Sequence, residues 1–456
     1  MTYQTVNPYT AQTVKTFTNV NDAVLEQQLS AASACFQLNW RLTSFAQRKT
    51  VLKRAAELMR ERAEPLAALI TLEMGKLIAQ SRGEVALSAA ILDYYADHAE
   101  EFLAPQTLTT ARGKAMVVSE SIGVLLGVQP WNYPYYQVVR FAGPNLMAGN
   151  VVMVKHASNV PQCALAFEQL LSDAGSPAGA YTNLFVSKEQ ISSLIADPRV
   201  RAVALTGSEA AGAVVATQAA QHLKKSTLEL GGSDAFIVLE DADLDKAVKH
   251  ALSGRMGNSG QACTASKRMI VVEAMAGKFL DAFSAAMSRF KPGDPMDPAT
   301  TLAPLSSAQA LDALIHQVDT AVQNGAQVLL GGKRVADMPG AFMQPTILTG
   351  IEAHNPAYKE EFFGPVALFF RVANEAAAIL LANDSNFGLG GSVFTQDAQR
   401  GHDVARQLDT GMVFINSSAI STPELPFGGV KNSGYGRELS SAGIQEFVNK
   451  KLIYAA

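Results

Sequence analysis

One cysteine in the sequence stands in surroundings typical of a reactive thiol. Cys263 ends the run Gly254-Arg-Met-Gly-Asn-Ser-Gly-Gln-Ala-Cys263, which is rich in small, turn-forming residues. Gly257 and Gly260 can take positive φ and let the backbone approach a ligand closely. A thiol at such a turn can lie at the lip of a pocket, where its pKa can be lowered and its thiolate can be reached. Most cysteines are inert small hydrophobes, so this stretch alone leaves a nucleophile and a structural cysteine both open.

Two polar residues in apolar surroundings could assist such a thiol. Glu229 is the single charge in Leu228-Glu-Leu-Gly-Gly232, and burial there would raise its pKa towards that of a general base. Asn132 lies between two prolines in Pro130-Trp-Asn-Tyr-Pro134, where its amide could donate a hydrogen bond to an oxyanion. A salt-bridged glutamate and an asparagine that caps the following helix are the structural alternatives.

Two further turns are candidates for binding a nucleotide. An apolar run ending at Thr206 leads through Gly207 and Ser208 into a predicted helix, whose first N–H groups attract phosphate. Lys155 ends another apolar run, where a lysine can bond ribose hydroxyls or a phosphate. Neither turn has a Gly-x-Gly-x-x-Gly or Walker pattern, so a capped helix without ligand and a solvent-facing lysine remain open.

The elements that would carry these residues alternate between strand and helix from Val124 onward. The predicted strands are 124–128, 151–155, 184–186, 200–206 and 226–230, and the predicted helices are 134–147, 161–173, 188–196 and 209–223. This alternation predicts a parallel sheet with helices on both faces. Ligands of such sheets bind at the carboxyl ends of the strands, where the candidate turns lie.

A second alternating segment follows Gly232 and contains Cys263. Its predicted strands are 235–239, 269–272, 326–330 and 411–415, and its predicted helices are 244–252, 276–290 and 308–324. Before both segments, we expect helices over 22–36, 44–63, 65–80 and 82–102, then a threonine-rich β-hairpin over 105–121. The chain is therefore expected to be an α/β protein with its site in a cleft between two domains.

Composition favours an enzyme of a reducing compartment. The 456 residues exceed what one core usually supports, and a net charge of -4 without a basic block argues against a nucleic-acid partner. Three well-separated cysteines, Cys35, Cys163 and Cys263, exclude a disulfide framework. We see neither a signal peptide nor an apolar run of membrane-spanning length, and therefore expect a cytoplasmic protein without a membrane partner.

Taken in order along the chain, several motifs resemble those of the aldehyde dehydrogenase superfamily. They are Pro130-Trp-Asn-Tyr-Pro134, Lys155, Thr206-Gly-Ser208 with Gly212, Leu228-Glu-Leu-Gly-Gly232, Gly260-Gln-Ala-Cys263, Glu361-Phe-Phe-Gly-Pro365 and Pro426-Phe-Gly-Gly-Val-Lys-Asn-Ser-Gly-Tyr-Gly-Arg-Glu438. Each is weak alone, but the ordered set is specific and covers nearly the whole chain. Lys155-His-Ala and the stretch from Trp131 to Arg140 are most similar to the bacterial NAD(P)-dependent succinate-semialdehyde dehydrogenase branch.

The resemblance implies a fold of two Rossmann-type parallel-sheet domains plus a small β oligomerisation element. It places a dinucleotide-binding domain at 1–104 and 122–231 and a catalytic domain at 232–442. Segments 105–121 and 443–456 would pair across subunits of a homodimer or homotetramer.

The resemblance also implies a mechanism. Cys263 would attack the aldehyde, the Asn132 amide and the Cys263 N–H would stabilise the oxyanion, and Glu229 would activate water to release the acid. Lys155 and Glu361 would hold ribose hydroxyls of NAD or NADP, and Ser208 would meet the pyrophosphate. The full set of expected cofactor residues is Trp131, Lys155, Ser158, Gly207, Ser208, Gly212, Leu230, Glu361 and Phe363. No metal is expected.

Cofactor choice is predicted from one departure from the family pattern. Many NAD-preferring relatives carry a glutamate where this chain has Ser158. A carboxylate repels a 2′-phosphate, whereas a serine beside Lys155 can accept one. We therefore expect NADP to be tolerated or preferred.

Substrate choice depends on Arg140, with Tyr136 and Ser421 as further contacts. An arginine at this position clamps the distal carboxylate in semialdehyde-oxidising relatives, but a structural ion pair is the alternative. A second arginine of some relatives is replaced by Gly257. Succinate semialdehyde is the expected small-molecule substrate, and glutarate semialdehyde or small uncharged aldehydes are the rivals. A nucleotide-independent thiol hydrolase or acyltransferase would leave the first domain's turns unexplained, and a non-catalytic protein would leave the cysteine, glutamate and asparagine unexplained.

Overall fold

The computed structural model describes residues 3–456, which form an α/β fold with several sheets. Its helices are α1 (Asp22–Leu38), α2 (Phe45–Glu61), α3 (Ala63–Met74), α4 (Ile78–Phe102), α5 (Tyr136–Met147), α6 (Pro161–Asp173), α7 (Lys188–Ala196), α8 (Glu209–Gln221), α9 (Leu244–Met256), α10 (Glu273–Met287), α11 (Ala308–Gln323), α12 (Glu375–Asn383), α13 (Ala398–Arg406) and α14 (Ser440–Ile444).

The strands follow the same order along the chain. They are β1 (Tyr3–Val6), β2 (Thr13–Phe17), β3 (Gln106–Leu108), β4 (Lys114–Ser121), β5 (Val124–Val128), β6 (Val151–Lys155), β7 (Tyr181–Asn183), β8 (Val200–Thr206), β9 (Lys225–Glu229), β10 (Asp234–Val238), β11 (Ser266–Val272), β12 (Gln327–Leu330), β13 (Thr346–Thr349), β14 (Val366–Val372), β15 (Phe387–Gly388), β16 (Gly390–Phe394), β17 (Met412–Ile415), β18 (Val430–Lys431), β19 (Gly434–Tyr435) and β20 (Val448–Ala455).

The first large sheet has the order β19-β9-β8-β5-β6-β7 and is parallel from β9 to β7. Its central strands are apolar runs that are buried along most of their length, as expected for strands covered by helices on both faces. The strand predicted at 184–186 lies at β7 instead, because the pairing with β6 uses Tyr181 to Asn183 and the chain leaves the sheet after them.

The second large sheet has the order β12-β13-β14-β11-β10-β16-β17. Every neighbouring pair in it is parallel except β12 with β13. β13, β14 and β16 were not predicted from the sequence. The helix predicted to end at Leu252 continues as α9 to Met256, so that the chain turns sharply just before Cys263.

A third, three-stranded antiparallel sheet stands apart from the other two. β4 pairs with β3 on one side and along its whole length with β20 on the other. The hairpin predicted over 105–121 is therefore present, and the C-terminal strand joins it. Leu452, Ile453 and Tyr454 of β20 remain exposed.

Two apolar cores lie beneath the two large sheets. The first joins α1–α6 to the first sheet, and the second joins α9–α11 to the second sheet. β19 lies in the range 232–442 but bonds to β9 of the first sheet, with Gly434 opposite Glu229. One short strand of the predicted catalytic domain thus belongs to the sheet of the predicted dinucleotide-binding domain. The division of the chain into these two domains stays a prediction. Within residues 3–456, no helix is both long and apolar enough to cross a membrane.

Candidate active site

Two cavities meet at Cys263 in the cleft between the large sheets. The first measures about 280 Å³. Nine of the predicted site residues line it: Trp131, Asn132, Gly207, Ser208, Glu229, Leu230, Cys263, Glu361 and Phe363. The second measures about 370 Å³ and is lined by Cys263 together with the predicted substrate residues Tyr136, Arg140 and Ser421. The thiol therefore faces two cavities, one lined by residues predicted to bind the cofactor and one lined by residues predicted to bind the substrate.

A third cavity, of about 620 Å³, lies beside the first and contains no predicted catalytic residue. Ser158 and Trp131 line it, opposite the start of α11 at Ala308. Lys155 and Gly212 lie outside the linings of these three cavities. Since Trp131 belongs to both the first and third cavities, they form neighbouring parts of the same cleft.

The turn before Cys263 has a different conformation from the predicted one. Gly257 has φ of −53°, so the expectation of a positive φ there is wrong. The left-handed residues are Asn258 and Ser259, followed by Gly260 with φ of 77°. A Cβ on Gly260 would lie 2.2 Å from the carbonyl oxygen of Gly364, so this position requires glycine.

Cys263 is half-buried, and its surroundings disfavour the thiolate. Burial raises its pKa to about 11, and the nearby charges of Arg140 and Lys267 partly oppose that rise. The expected lowering of this pKa is therefore wrong. Desolvation outweighs the two cations because the cleft walls displace water from around the sulfur.

Asn132 is buried and held by bonds to the Cys263 loop. Its Nδ2 donates to the carbonyl oxygen of Gln261 at 3.0 Å, and its Oδ1 accepts from Gln137 Nε2 at 3.1 Å. Its backbone oxygen accepts from Lys76 Nζ at 2.8 Å and from Asn258 Nδ2 at 3.0 Å. The alternative of a helix cap is wrong, because these bonds occupy the side chain and α5 begins only at Tyr136.

Glu229 ends β9 with its carboxylate buried in the cleft. Among residues 3–456, neither carboxylate oxygen has a hydrogen-bond partner. Burial raises its pKa well above the usual value and the charge of Glu438 raises it further, while Arg140 and Arg437 oppose both effects. A Cβ on Gly428 would lie 2.7 Å from Glu229 Oε1, so that glycine makes room for the carboxylate. The salt-bridge alternative for Glu229 finds no support in these contacts.

Arg140 is buried on α5. Its contacts bear on the two roles considered for it, a structural ion pair and a clamp on the substrate carboxylate. It forms an ion pair with Glu438, and Nη1 donates to Tyr136 Oη at 3.2 Å. Tyr136 Oη in turn donates to Ser421 Oγ at 3.0 Å. Within the part of the chain that the structure describes, Arg140 Nη2 has no hydrogen-bond partner. The guanidinium thus carries a structural ion pair and still offers one donor beside the second cavity.

The turns predicted for a cofactor contain a capped helix start, a closely packed glycine and a bonded carboxylate. Ser208 caps α8, its Oγ accepting from the N–H of Ala211 at 3.4 Å. A Cβ on Gly212 would lie 2.7 Å from Leu230 Cδ2, so Gly212 allows α8 to pack closely on the strand end. Glu361 Oε1 accepts from Lys267 Nζ at 2.8 Å and from the N–H of Gly232 at 3.1 Å.

Burial lowers the pKa of both Lys155 and its neighbour His156. Burial lowers the pKa of Lys155 to about 8, with a smaller contribution from Lys188. His156 is fully buried, and burial lowers its pKa to about 4; its Nε2 lies 2.7 Å from the Pro134 oxygen. The structural role predicted for His156 agrees with this position, and an added phosphate would favour the charged form of Lys155.

Sequence reasoning missed four charged or polar residues around the site. Lys76 forms a buried ion pair with Glu84, Lys267 bonds to Glu361, and Glu438 pairs with Arg140. The sequence feature that could have predicted them is a charged residue within an otherwise apolar helix or strand, such as Lys267 near the start of β11.

Comparison with known proteins identifies the class. A model of the aldehyde dehydrogenase family matches residues 1–453. The chain belongs to the aldehyde dehydrogenase family. The resemblance inferred from the motifs is thereby confirmed.

Individual relatives cover the chain almost completely. It is 53% identical to a succinate-semialdehyde dehydrogenase [NADP(+)] of Deinococcus radiodurans, over 99% of this chain and 94% of that protein. It is 46% identical to a probable succinate-semialdehyde dehydrogenase [NADP(+)] of Synechocystis, over the full length of both. The crystal structure of succinic semialdehyde dehydrogenase from Streptococcus pyogenes with NADP+ is 47% identical, with a TM-score of 0.98 over 99% of each chain. The predicted fold class is confirmed.

Proposed function

We propose that this protein oxidises succinate semialdehyde to succinate with NADP, through a covalent adduct on Cys263. The observation that carries the proposal is the position of Cys263, which lines both the cavity of Glu229 and Glu361 and the cavity of Arg140. The names of the relatives in Deinococcus and Synechocystis support the same substrate and cofactor.

In the first step Cys263 adds to the aldehyde carbon as the thiolate, giving a thiohemiacetal. The cationic groups of Arg140 and Lys267 favour the thiolate against the cost of burial. The Asn132 amide has two N–H donors, and only one bonds to Gln261. The second, with the backbone N–H of Cys263, stabilises the oxyanion.

In the second half of the reaction Glu229 acts as the general base. Its raised pKa and its two oxygens without protein partners suit a group that takes a proton from water. The water attacks the thioester carbon, the C–S bond breaks, and the acid leaves while Cys263 regains its thiolate.

Three features of the cleft walls support the binding of a nicotinamide dinucleotide. The start of α8 offers N–H groups behind Ser208, Gly212 lets that helix pack closely on Leu230 of the cavity wall, and Glu361 presents a carboxylate to the first cavity. When bound, the cofactor would supply the acceptor for the hydride that the thiohemiacetal carbon loses as the thioester forms. Lys155 and Ser158 would hold the adenosine ribose, and the absence of a carboxylate at Ser158 favours a 2′-phosphate.

The distal carboxylate of the substrate is assigned to Arg140. Its Nη2 is the donor without a partner, and Tyr136 and Ser421 add hydroxyl groups to the same cavity. The ion pair with Glu438 favours the rival, an uncharged aldehyde, since it already neutralises the guanidinium. Comparing kcat/KM for succinate semialdehyde and for an uncharged aldehyde therefore decides between the two substrates.

The test is to mix the purified protein with succinate semialdehyde, glutarate semialdehyde or butanal, each with NADP or NAD, and to follow the absorbance of the reduced nicotinamide. We expect the largest kcat/KM for succinate semialdehyde with NADP and no turnover by Cys263→Ala. Equal kcat/KM for butanal would replace the substrate assignment by the rival. Full activity of Cys263→Ala would overturn the mechanism.

The proposal includes assembly as a homodimer or homotetramer in the cytoplasm. The exposed Leu452, Ile453 and Tyr454 of β20 are the apolar surface that a partner subunit would cover. Light scattering coupled to size exclusion measures the mass. A monomer at micromolar concentration would refute the assembly.

A further inference from the structure

Two chain segments of the site, the Cys263 loop and the loop of Glu361, converge on one buried ammonium group, that of Lys267. The side chain is fully buried beneath the Cys263 loop. Its Nζ donates to the carbonyl oxygens of Ala262 at 2.9 Å and of Cys263 at 2.6 Å. It also lies 2.8 Å from Glu361 Oε1.

These three partners use the full donor capacity of the group. A lysine ammonium has three N–H donors and no acceptor, and each finds an oxygen here. Burial of such a charge is costly unless it is paired and hydrogen-bonded. The arrangement therefore has little freedom to shift one partner without disturbing the other two.

The backbone of Gly231 and Gly232 closes the same cluster from a fourth side. The N–H of Gly232 donates to Glu361 Oε1 at 3.1 Å. A Cβ on Gly232 would lie 2.6 Å from the Cys263 oxygen, and one on Gly231 would lie 2.3 Å from Glu361 Oε2. Both glycines are needed for the strand end that carries Glu229 to fit between the thiol loop and the Glu361 carboxylate.

We propose that Lys267 is a positioning residue that locks the Cys263 main chain and the Glu361 carboxylate into one geometry. This inference rests on the proposed function, in which Glu361 holds the cofactor ribose and Cys263 holds the substrate. Hydride transfer depends on the separation and angle of those two partners. Lys267 sets that relation from the protein side and touches neither substrate nor cofactor.

The charges of the cluster also predict the direction in which each residue changes the ionisation of the Cys263 thiol. The charged or titratable groups that face Cys263 are Arg140 from α5, Lys267 from β11, Glu361 from its loop, Asp234 from β10, Glu229 from β9 and Tyr133 from the loop before α5. Lys267 favours the thiolate, whereas Glu361 disfavours it. Neutralising the two residues one at a time should move the reactivity of the thiol in opposite directions.

The experiment compares Lys267→Met, Glu361→Gln and the double variant with the wild type and with Lys278→Met, an exposed lysine of α10. The first measurement is the rate of Cys263 alkylation by iodoacetamide across pH, without cofactor. We expect Lys267→Met to be roughly threefold or more slower near neutral pH, and Glu361→Gln to be faster by a similar factor. Lys278→Met should match the wild type.

The second measurement is steady-state turnover. We expect Lys267→Met to lower kcat about tenfold or more and to raise KM for NADP, because both partners of the hydride transfer lose their common anchor. The effects of Lys267→Met and Glu361→Gln on KM for NADP should be non-additive, as for residues that act through one contact.

The outcomes separate this inference from the proposed function. Alkylation that changes in the same direction in both single variants, or not at all, overturns the role of Lys267 whatever the substrate is. Additive effects on KM for NADP overturn the coupling to Glu361. If the wild type fails to reduce NADP, the proposed function fails, while the alkylation comparison still tests Lys267. Circular dichroism and thermal unfolding establish that each variant is folded before it is compared.

Discussion

The side-chain nitrogen of Asn132 lies 3.0 Å from the carbonyl oxygen of Gln261, two residues before Cys263. This bond joins the loop after β5, in the first sheet, to the turn before β11, in the second. Lys76 and Asn258 hold the Asn132 backbone oxygen from two further directions. The orientation of the amide is therefore set by residues on both sides of the cleft.

Replacing Asn132 by alanine should slow the chemical step. We expect Asn132→Ala to lower kcat about 100-fold, the cost of losing one oxyanion donor, while iodoacetamide still alkylates Cys263. Asn324→Ala, at the exposed C-terminus of α11, is the matched control and should leave kcat unchanged. A kcat within a factor of two of the wild type in Asn132→Ala would remove the amide from the mechanism.

The buried pair of Lys76 and Glu84 should stabilise the loop that carries Asn132. Glu84 accepts the N–H groups of Tyr135 at 2.9 Å and Tyr136 at 3.2 Å. Lys76→Met leaves that carboxylate buried without its cation, which should lower the free energy of unfolding by about 3–5 kcal/mol. Urea unfolding measures the loss. Lys76→Met with Glu84→Gln should recover most of it, and a single variant as stable as the wild type would contradict the assignment.

The rate should depend on the ionisation of Glu229. Because burial raises the pKa of this carboxyl, the base is lost as pH falls through a value above that of an ordinary glutamate. We expect kcat to decline on the acid side at that higher pH. Glu229→Gln should give one burst of reduced nicotinamide equal to the enzyme concentration and then stop, since the thioester is no longer hydrolysed. Steady turnover by this variant would assign the base elsewhere.

The ion pair of Arg140 with Glu438 makes a plain deletion of the arginine ambiguous, because it leaves Glu438 buried and unpaired. Glu438→Gln keeps the shape and frees the guanidinium. If Arg140 clamps the substrate carboxylate, KM for succinate semialdehyde should fall in Glu438→Gln and rise about tenfold or more in Arg140→Met. Butanal serves as the uncharged comparison. Equal changes of KM for both aldehydes in Arg140→Met would leave Arg140 with its structural role alone.

Cofactor preference should reverse when a carboxylate replaces Ser158. In Ser158→Glu we expect kcat/KM with NADP to fall about tenfold or more through repulsion of the 2′-phosphate, while NAD is affected less. Ser187→Glu, at the cap of the neighbouring α7, is a control for added charge. An unchanged ratio of NADP to NAD would move the 2′-phosphate site away from Ser158.

The sequence predicted the parallel sheets, since apolar strands that end in glycine turns are a local pattern. Among the residues lining the first cavity, Glu361 and Phe363 were predicted only through the resemblance to the aldehyde dehydrogenase superfamily. The sequence did not predict the conformation of residues 257–260, because Asn258 adopts a left-handed backbone that its tertiary bonds to Asn132 and Gln261 support. The weak acidity of the Cys263 thiol was missed for a similar reason. Its pKa depends on burial by distant segments, and no spacing of residues encodes that burial.

The same limit applies to the charged partners. Arg140 and Glu438 lie almost 300 residues apart in the sequence, and only the packing of the segment after β19 against α5 brings them together. The sequence predicted a site role for Arg140, whereas Glu438 appeared only as the last residue of a motif, so the two were not connected. A buried ion pair of this kind becomes visible only once the fold is known.

The two cavities share only Cys263 and Gln137 in their linings. A reduced dinucleotide can therefore depart through its own compartment while the acyl group is still attached to sulfur in the other. Because Glu229 lines the dinucleotide's compartment, we expect the hydrolytic water to reach the thioester from that side. Under the proposed function we therefore expect the reduced dinucleotide to leave before the acid does.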